Sequence, residues 1–195
     1  MTKEFESAKV VHTKQVIKDK FIDLYINRSI DSIRIKEITD KAGINRGTFY
    51  IHYEDIYDLL DEVEDELISV LDKNISKIKE LIAINSNLNT LKPIITQNLE
   101  YIRERSKYFK AFLGANGSPS FLKKLKNIAK TKFLDNLKTD NKPEEHGDYL
   151  IEYIVSANVG IIVYWLESGM KISADELTNL MSSTLFRGPL TFINS

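Results

Sequence analysis

The chain has 195 residues, 43% of them hydrophobic and 28% charged, no cysteine and a formal net charge of −1. That is enough chain to bury a core as one or two globular domains. The lack of cysteine excludes a disulfide framework and a thiolate metal centre, and no apolar run of about 18 residues or leader segment is expected to engage a membrane. These features suit a cytoplasmic protein. The near-zero charge hides an asymmetry. Residues 1–53 carry 10 Lys and Arg against 7 Asp and Glu, whereas residues 54–80 carry 3 against 10. A basic head followed by an acidic helix points to a head that faces nucleic acid.

After a polar start over residues 1–9, Ile17, Phe21, Leu24 and Tyr25 fall on one stripe of a helix expected from about Val10 to Arg28. On it, Lys14, Lys18 and Lys20 could approach phosphates or could form a solvated face. Asn27 to Ser32 is a polar break. Ile35, Ile38 and Ala42 then mark one face of a short helix, which Gly43 ends. Ile44 is an apolar plug, and Asn45 is an N-cap for a second short helix with Phe49 and Tyr53 inward. Two short helices around a Gly-bearing turn make a helix-turn-helix. Its second helix normally lies in the DNA major groove, with its N-terminal residues at base edges.

A long helix is expected over about Asp55 to Ile82, with an apolar stripe running from Ile56 and Leu59 to Ile82. Its acidic residues, including Asp61, Glu62, Asp65 and Glu66, read as a solvated face, and no metal site is assigned to them. Asn85 to Asn89 is a loop. Helices follow over about Pro93 to Arg105, Ser106 to Leu113 and, after the Gly114–Ser118 loop, Pro119 to Lys138, the last with Phe121, Leu125, Ile128, Phe133 and Leu137 inward. Thr139 to Gly147 is polar and holds Pro143. Asp148 to Glu167 is strongly apolar, with Tyr149, Tyr153, Ile154, Ala157, Ile161, Tyr164 and Trp165. It also places the small residues Ser156, Ala157 and Gly160 at helical spacing. Gly169 ends this helix, and Ser173 with Glu176 forms a capping box for a last helix, whose stripe is Leu177, Leu180, Met181, Thr184 and Leu185. The expected architecture is all-α, about nine helices. Residues 1–54 form a helix-turn-helix head. Residues 55–195 form a helical-bundle effector and dimerisation body, with 55–82 as the connecting helix.

The segment Gly43-Ile44-Asn45-Arg46-Gly47-Thr48-Phe49-Tyr50-Ile51-His52-Tyr53 resembles the recognition segment of TetR-like (TetR/AcrR) bacterial transcriptional regulators. That family's pattern is a Gly-Val-Ser turn, a variable residue, then Gly-Thr-hydrophobic-Tyr, ending on an aromatic. Gly160 to Leu166, with Trp165 and then Gly169, is loosely similar to the C-terminal region of the subgroup that regulates dihydroxyacetone-kinase operons. In one respect the chain departs from the family. Where a phosphate-gripping lysine usually opens the fourth helix, it has Ile56, preceded by Glu54 and Asp55.

Position on the recognition helix makes Arg46 and Thr48 candidates for base or phosphate contacts, with Asn45 capping and Gly47 allowing close backbone approach. Arg34 and Lys36 lie just before and within the supporting helix. Tyr50 and His52 resemble the family's phosphate-contacting positions. In the body, Asn98, Tyr101, Phe109, Phe112, Tyr149, Tyr153 and Trp165 are candidates to line a ligand cavity, or simply to pack the core. His12, His52 and His146 are far apart, and no hydrolase, metalloprotease or dinucleotide motif occurs. No catalytic residue, metal or cofactor is therefore expected. The resemblance implies a homodimer that binds a palindromic double-stranded DNA operator and represses until a small-molecule effector releases it. The alternatives are an activator that answers to a partner protein and, remotely, a helical enzyme.

Overall fold

In the computed structural model, residues 8–76, 92–137 and 146–187 are described, and among them lie nine α-helices and no strand. The expected extension of the long helix to Ile82, the Asn85–Asn89 loop, the Thr139–Pro143 segment and the side chains of Phe133, Leu137 and Leu185 fall outside the described residues.

The head is α1 (Ala8–Tyr25), α2 (Ile35–Ala42) and α3 (Arg46–His52). The stripe anticipated on α1 is buried, with Ile17, Phe21, Leu24 and Tyr25 in one core cluster that also holds Ile33, Ile38, Phe49 and Tyr53. α1 ends at Tyr25 instead of Arg28. Beyond it Asn27 and Arg28 donate to Leu24 and Tyr25 in a tighter turn, and the expected polar break contains a short 3-10 helix, Ile30–Ser32.

α4 (Ile56–Ser76) joins head to body. The body adds α5 (Lys92–Glu104), α6 (Ser106–Leu113), α7 (Pro119–Leu137), α8 (Gly147–Glu167) and α9 (Ala174–Arg187). α7 packs on α4 and α8, α6 on α1, α7 and α8, and α9 on α5. The α6–α7 loop turns tightly. A Cβ on Gly117 would stand 2.3 Å from the Phe112 carbonyl oxygen, so only glycine fits there.

Two buried charges tie the pieces together. Lys18 of α1 is 5% exposed and pairs with Glu66 and, at 2.7 Å, with Glu62, both on α4. Glu62 also meets Lys14 at 2.8 Å and accepts the Tyr53 hydroxyl at 3.0 Å. Glu64, 0% exposed, accepts the hydroxyls of Ser118 and Ser120 and pairs with Lys124 at 3.0 Å. A buried carboxylate left unpaired would strongly destabilise the fold, so α7 must seat its first turn on α4. Ser118 completes that turn by accepting the Phe121 N–H at 3.2 Å.

α8 differs from expectation in two ways. Asp148–Glu167 has a mean hydropathy of 1.5 and is long and apolar enough to cross a membrane by composition, although no such run was anticipated. Its aliphatic side is nevertheless buried in the protein through Ile151, Val155, Val159 and Leu166. Tyr149 and Tyr153, candidates to line a cavity or pack the core, point outward at 78% and 60% exposed, and so does Tyr164 at 71%. Ala157 and Gly160 are exposed between them, which continues one stripe along the helix.

Candidate nucleic-acid interface

The geometry of the head is set at the turn between α2 and α3. Gly43 sits at φ +67°, in the left-handed region open to glycine. Ile44 follows with its N–H on the Thr39 carbonyl at 3.1 Å, and its side chain packs against the core. Asn45 caps α3, its Oδ1 accepting from the Thr48 N–H at 2.8 Å and the Thr48 hydroxyl at 3.1 Å. A Cβ on Gly47 would lie 3.2 Å from that same Oδ1. Gly47 thus leaves room for the cap, as well as for any close partner.

With Phe49 and Tyr53 buried as anticipated, the rest of α3 is turned out. Arg46 and Gly47 are exposed. Tyr50 is exposed, packed edge-on against Phe49 at 5.7 Å, and its hydroxyl has no partner among the described residues. Thr48 and His52 are half-buried. Arg34 and Lys36 are exposed at the start of α2. There Glu37 accepts the Arg34 N–H at 3.0 Å and pairs with Arg28 at 2.7 Å. The Arg28 hydrogen bond, then that of the Arg34 backbone, holds the Glu37 carboxyl below its ordinary range. All eight candidates therefore sit on or beside two adjoining short helices. Sequence reasoning missed Ile51, which is 78% exposed. The signal was available, because a residue midway between inward Phe49 and Tyr53 must face away from the core. An outward aliphatic side chain beside Arg46 and Tyr50 matches the contact that reads a thymine methyl.

Two other places weighed for phosphate contact have partners within the chain. Lys14 and Lys18 are engaged by Glu62 and Glu66, and Lys20 lies 3.7 Å from Asp23. At the start of α4, Ile56 packs against the core. Asp55 accepts the N–H groups of Tyr57 at 2.7 Å and Asp58 at 2.9 Å, while Asp58 accepts that of Glu54 at 2.9 Å. The amides that could hold a phosphate at this helix end are thus turned to the chain's own carboxylates.

The body candidates do not share one cavity. Phe109 and Phe112 are buried against Phe121, with centroids at 5.9 and 4.9 Å. Trp165 is buried, its indole N–H donating to the Ile172 carbonyl at 2.8 Å. Asn98 accepts from Asn74 at 3.0 Å. Tyr101 is half-buried on the edge of Phe109 at 5.9 Å. Tyr149 and Tyr153 lie on the outer surface.

Comparison with known proteins agrees with this architecture. The family model described as "Transcriptional regulator C-terminal region", of the TetR family, matches residues 89–187. The chain is 23% identical over 167 residues to an uncharacterized HTH-type transcriptional regulator, YxbF, of Bacillus subtilis strain 168, covering 83% of this chain and 42% of that protein. It therefore spans about two fifths of that relative's length. A TetR transcriptional regulator from Streptococcus agalactiae 2603V shares the fold at TM-score 0.64 and 19% identity, over 92% of this chain and 96% of that one. The dihydroxyacetone kinase operon activator DhaS shares it at TM-score 0.57 and 20% identity, over 94% and 97%. With half of its length matched by a TetR C-terminal family model and a helix-turn-helix at its head, the chain belongs to the TetR family of transcriptional regulators.

Proposed function

We propose that residues 1–54 bind operator DNA, that residues 55–195 dimerise the chain and receive a regulatory signal, and that the whole acts in the cytoplasm as a repressor released by a small molecule. The supporting observation is the α2–turn–α3 unit. Gly43 and Ile44 fix the turn and Phe49 and Tyr53 anchor α3, so Arg46, Tyr50 and Ile51 are left outward where a groove-reading helix needs them. The outward stripe of α8 is the candidate dimer face, self-complementary by two-fold symmetry. A palindromic operator would mirror that symmetry. Release follows if the effector binds the DNA-competent and DNA-incompetent arrangements with different affinity.

The test is a gel shift and footprint on DNA upstream of the chain's own gene. Arg46→Ala is expected to weaken binding by about 1–3 kcal/mol and relax one operator position. Tyr50→Phe is expected to weaken all sequences alike, and Ile51→Ser to lower the preference for one thymine. If all three variants bind as the unaltered chain does, α3 is not the reading helix. A second reading is activation, the role that the name of DhaS gives that protein. A reporter fused to the bound promoter separates the two, because deleting the protein raises expression under repression and lowers it under activation.

A further inference from the structure

A cleft of about 610 Å³ lies where head meets body. Lys18 of α1 stands on one side, α4 lines it from Glu62 to Lys73, and Tyr101, Arg105 and Tyr108 close it where α5 passes into α6. Its size is that of an ordinary small-molecule site, and Val63, Leu67 and Val70 give it an apolar wall.

The polar groups in the cleft fall into two sets. One set is already occupied within the protein. Lys18 holds Glu62 and Glu66, Asp65 is paired with Lys124 at 2.7 Å, and the Tyr108 hydroxyl is bonded to Asp19 and Gln15. The other set has no such partner among the described residues: the Ser69 and Tyr101 hydroxyls, the Lys73 ammonium, and the Arg105 guanidinium, which lies 5.8 Å from the Tyr108 ring centre with no carboxylate bound to it. Among the described residues every carboxylate of the cleft is matched to a lysine, whereas two exposed cations, Lys73 and Arg105, and two hydroxyls have no acceptor. Those four groups are open to a bound anion.

We propose that this cleft binds a small organic anion, a carboxylate or phosphate on an apolar or aromatic body, with Lys73 and Arg105 holding the acid group, Tyr101 donating to it, and Val63, Leu67 and Val70 packing the body. The proposal rests on the reading that a small molecule regulates the chain, and it gives that signal a place. The cleft has walls from both head and body, so its width changes with the angle between them. A ligand that fits one width favours one angle. The Lys18–Glu62 contact that forms the cleft's edge also reaches Tyr53 at the end of the recognition helix.

The test is calorimetry on the full chain without DNA, using 1-naphthoate, 1-naphthyl phosphate and the neutral 1-naphthamide as probes. One or both anions are expected to saturate one site per chain, with the amide weaker by about tenfold or more. Which anion binds tells a carboxylate effector from a phosphate one. The Lys73→Gln/Arg105→Gln double variant is expected to keep its melting temperature and lose the anions' advantage, and Tyr101→Phe to weaken them with the ring retained. The proposal is overturned if neither anion saturates by about 10 mM, if the amide binds equally, or if the double variant and Tyr101→Phe both bind the anions unchanged. A gel shift without probe, run in parallel, tests DNA binding separately. A chain that shifts DNA but binds no anion refutes only the cleft site, and the reverse result refutes only the DNA reading.

Discussion

Ile56 shows how a single side chain decides between two roles. It opens α4 and packs against the core, while Asp55 and Asp58 occupy the amides around it. A lysine placed here would have to strip an ammonium of water or swing it out past those carboxylates. Ile56→Lys is therefore expected to lower stability by about 1–3 kcal/mol and bring no gain in operator affinity at low salt. A thermal melt beside a salt-titrated gel shift measures both, and tighter binding at unchanged melting temperature would restore a DNA-facing role. Position in the sequence could not settle this, because an isoleucine at a helix start suits either role. The neighbouring Asp55 cap is what turns the site inward.

At the scale of the helix, α8 carries the strongest expectation. Its outward stripe of Tyr149, Tyr153, Ala157, Gly160 and Tyr164 is not covered by another helix among the described residues, and a Cβ on Gly160 would meet nothing within 4 Å. Gly160→Arg should therefore leave the protomer's helical content intact while placing a long charge in the middle of the proposed dimer face. Sedimentation at micromolar concentration is expected to give a dimer for the unaltered chain and a monomer for the variant. A monomer in both would remove the interface. Periodicity alone made the existence of this helix plain but not its orientation, since both sides of it are apolar and only the packing of α6 and α7 selects the aliphatic one as inner. The head was more legible because its helices are short and amphipathic and its turn is punctuated by Gly43, Ile44 and Asn45, each of which has one role. The supposed body cavity was not legible. Aromatic residues at helical spacing give the same pattern whether they line a cavity or fill it, and Phe109, Phe112 and Trp165 fill it.

Across the whole molecule, head and body are held by the Lys18–Glu62 contact, by the Tyr25–Phe112 ring contact at 5.6 Å, and by the Lys107–Asp23 pair. Glu62 contributes a pH dependence to that hold, as Asp23 does through Lys107. Burial alone would raise its carboxyl, but hydrogen bonds from Lys14 and Lys18, with that of Tyr53, outweigh burial and hold it below its ordinary value. A depressed folded value means stability that is present above the unfolded value, about 4.3, and is lost as pH falls through the folded one. The melting-temperature gap between the unaltered chain and Glu62→Gln should thus be constant at neutral pH and shrink in acid, below about pH 4.5. A gap that widens on acidification would show that the carboxylate does not hold the clamp.

The chain contains one tryptophan, Trp165, buried near the end of α8 and bonded across the turn to Ile172. Indole emission therefore reports on the body and is blind to the head, whereas far-ultraviolet circular dichroism sees every helix. No label is needed to ask whether the two melt together. Coincident curves would mean that the contacts around Lys18 make one cooperative unit of head and body. An early dichroic loss before the indole emission moves would mean that the head unfolds on a body still intact.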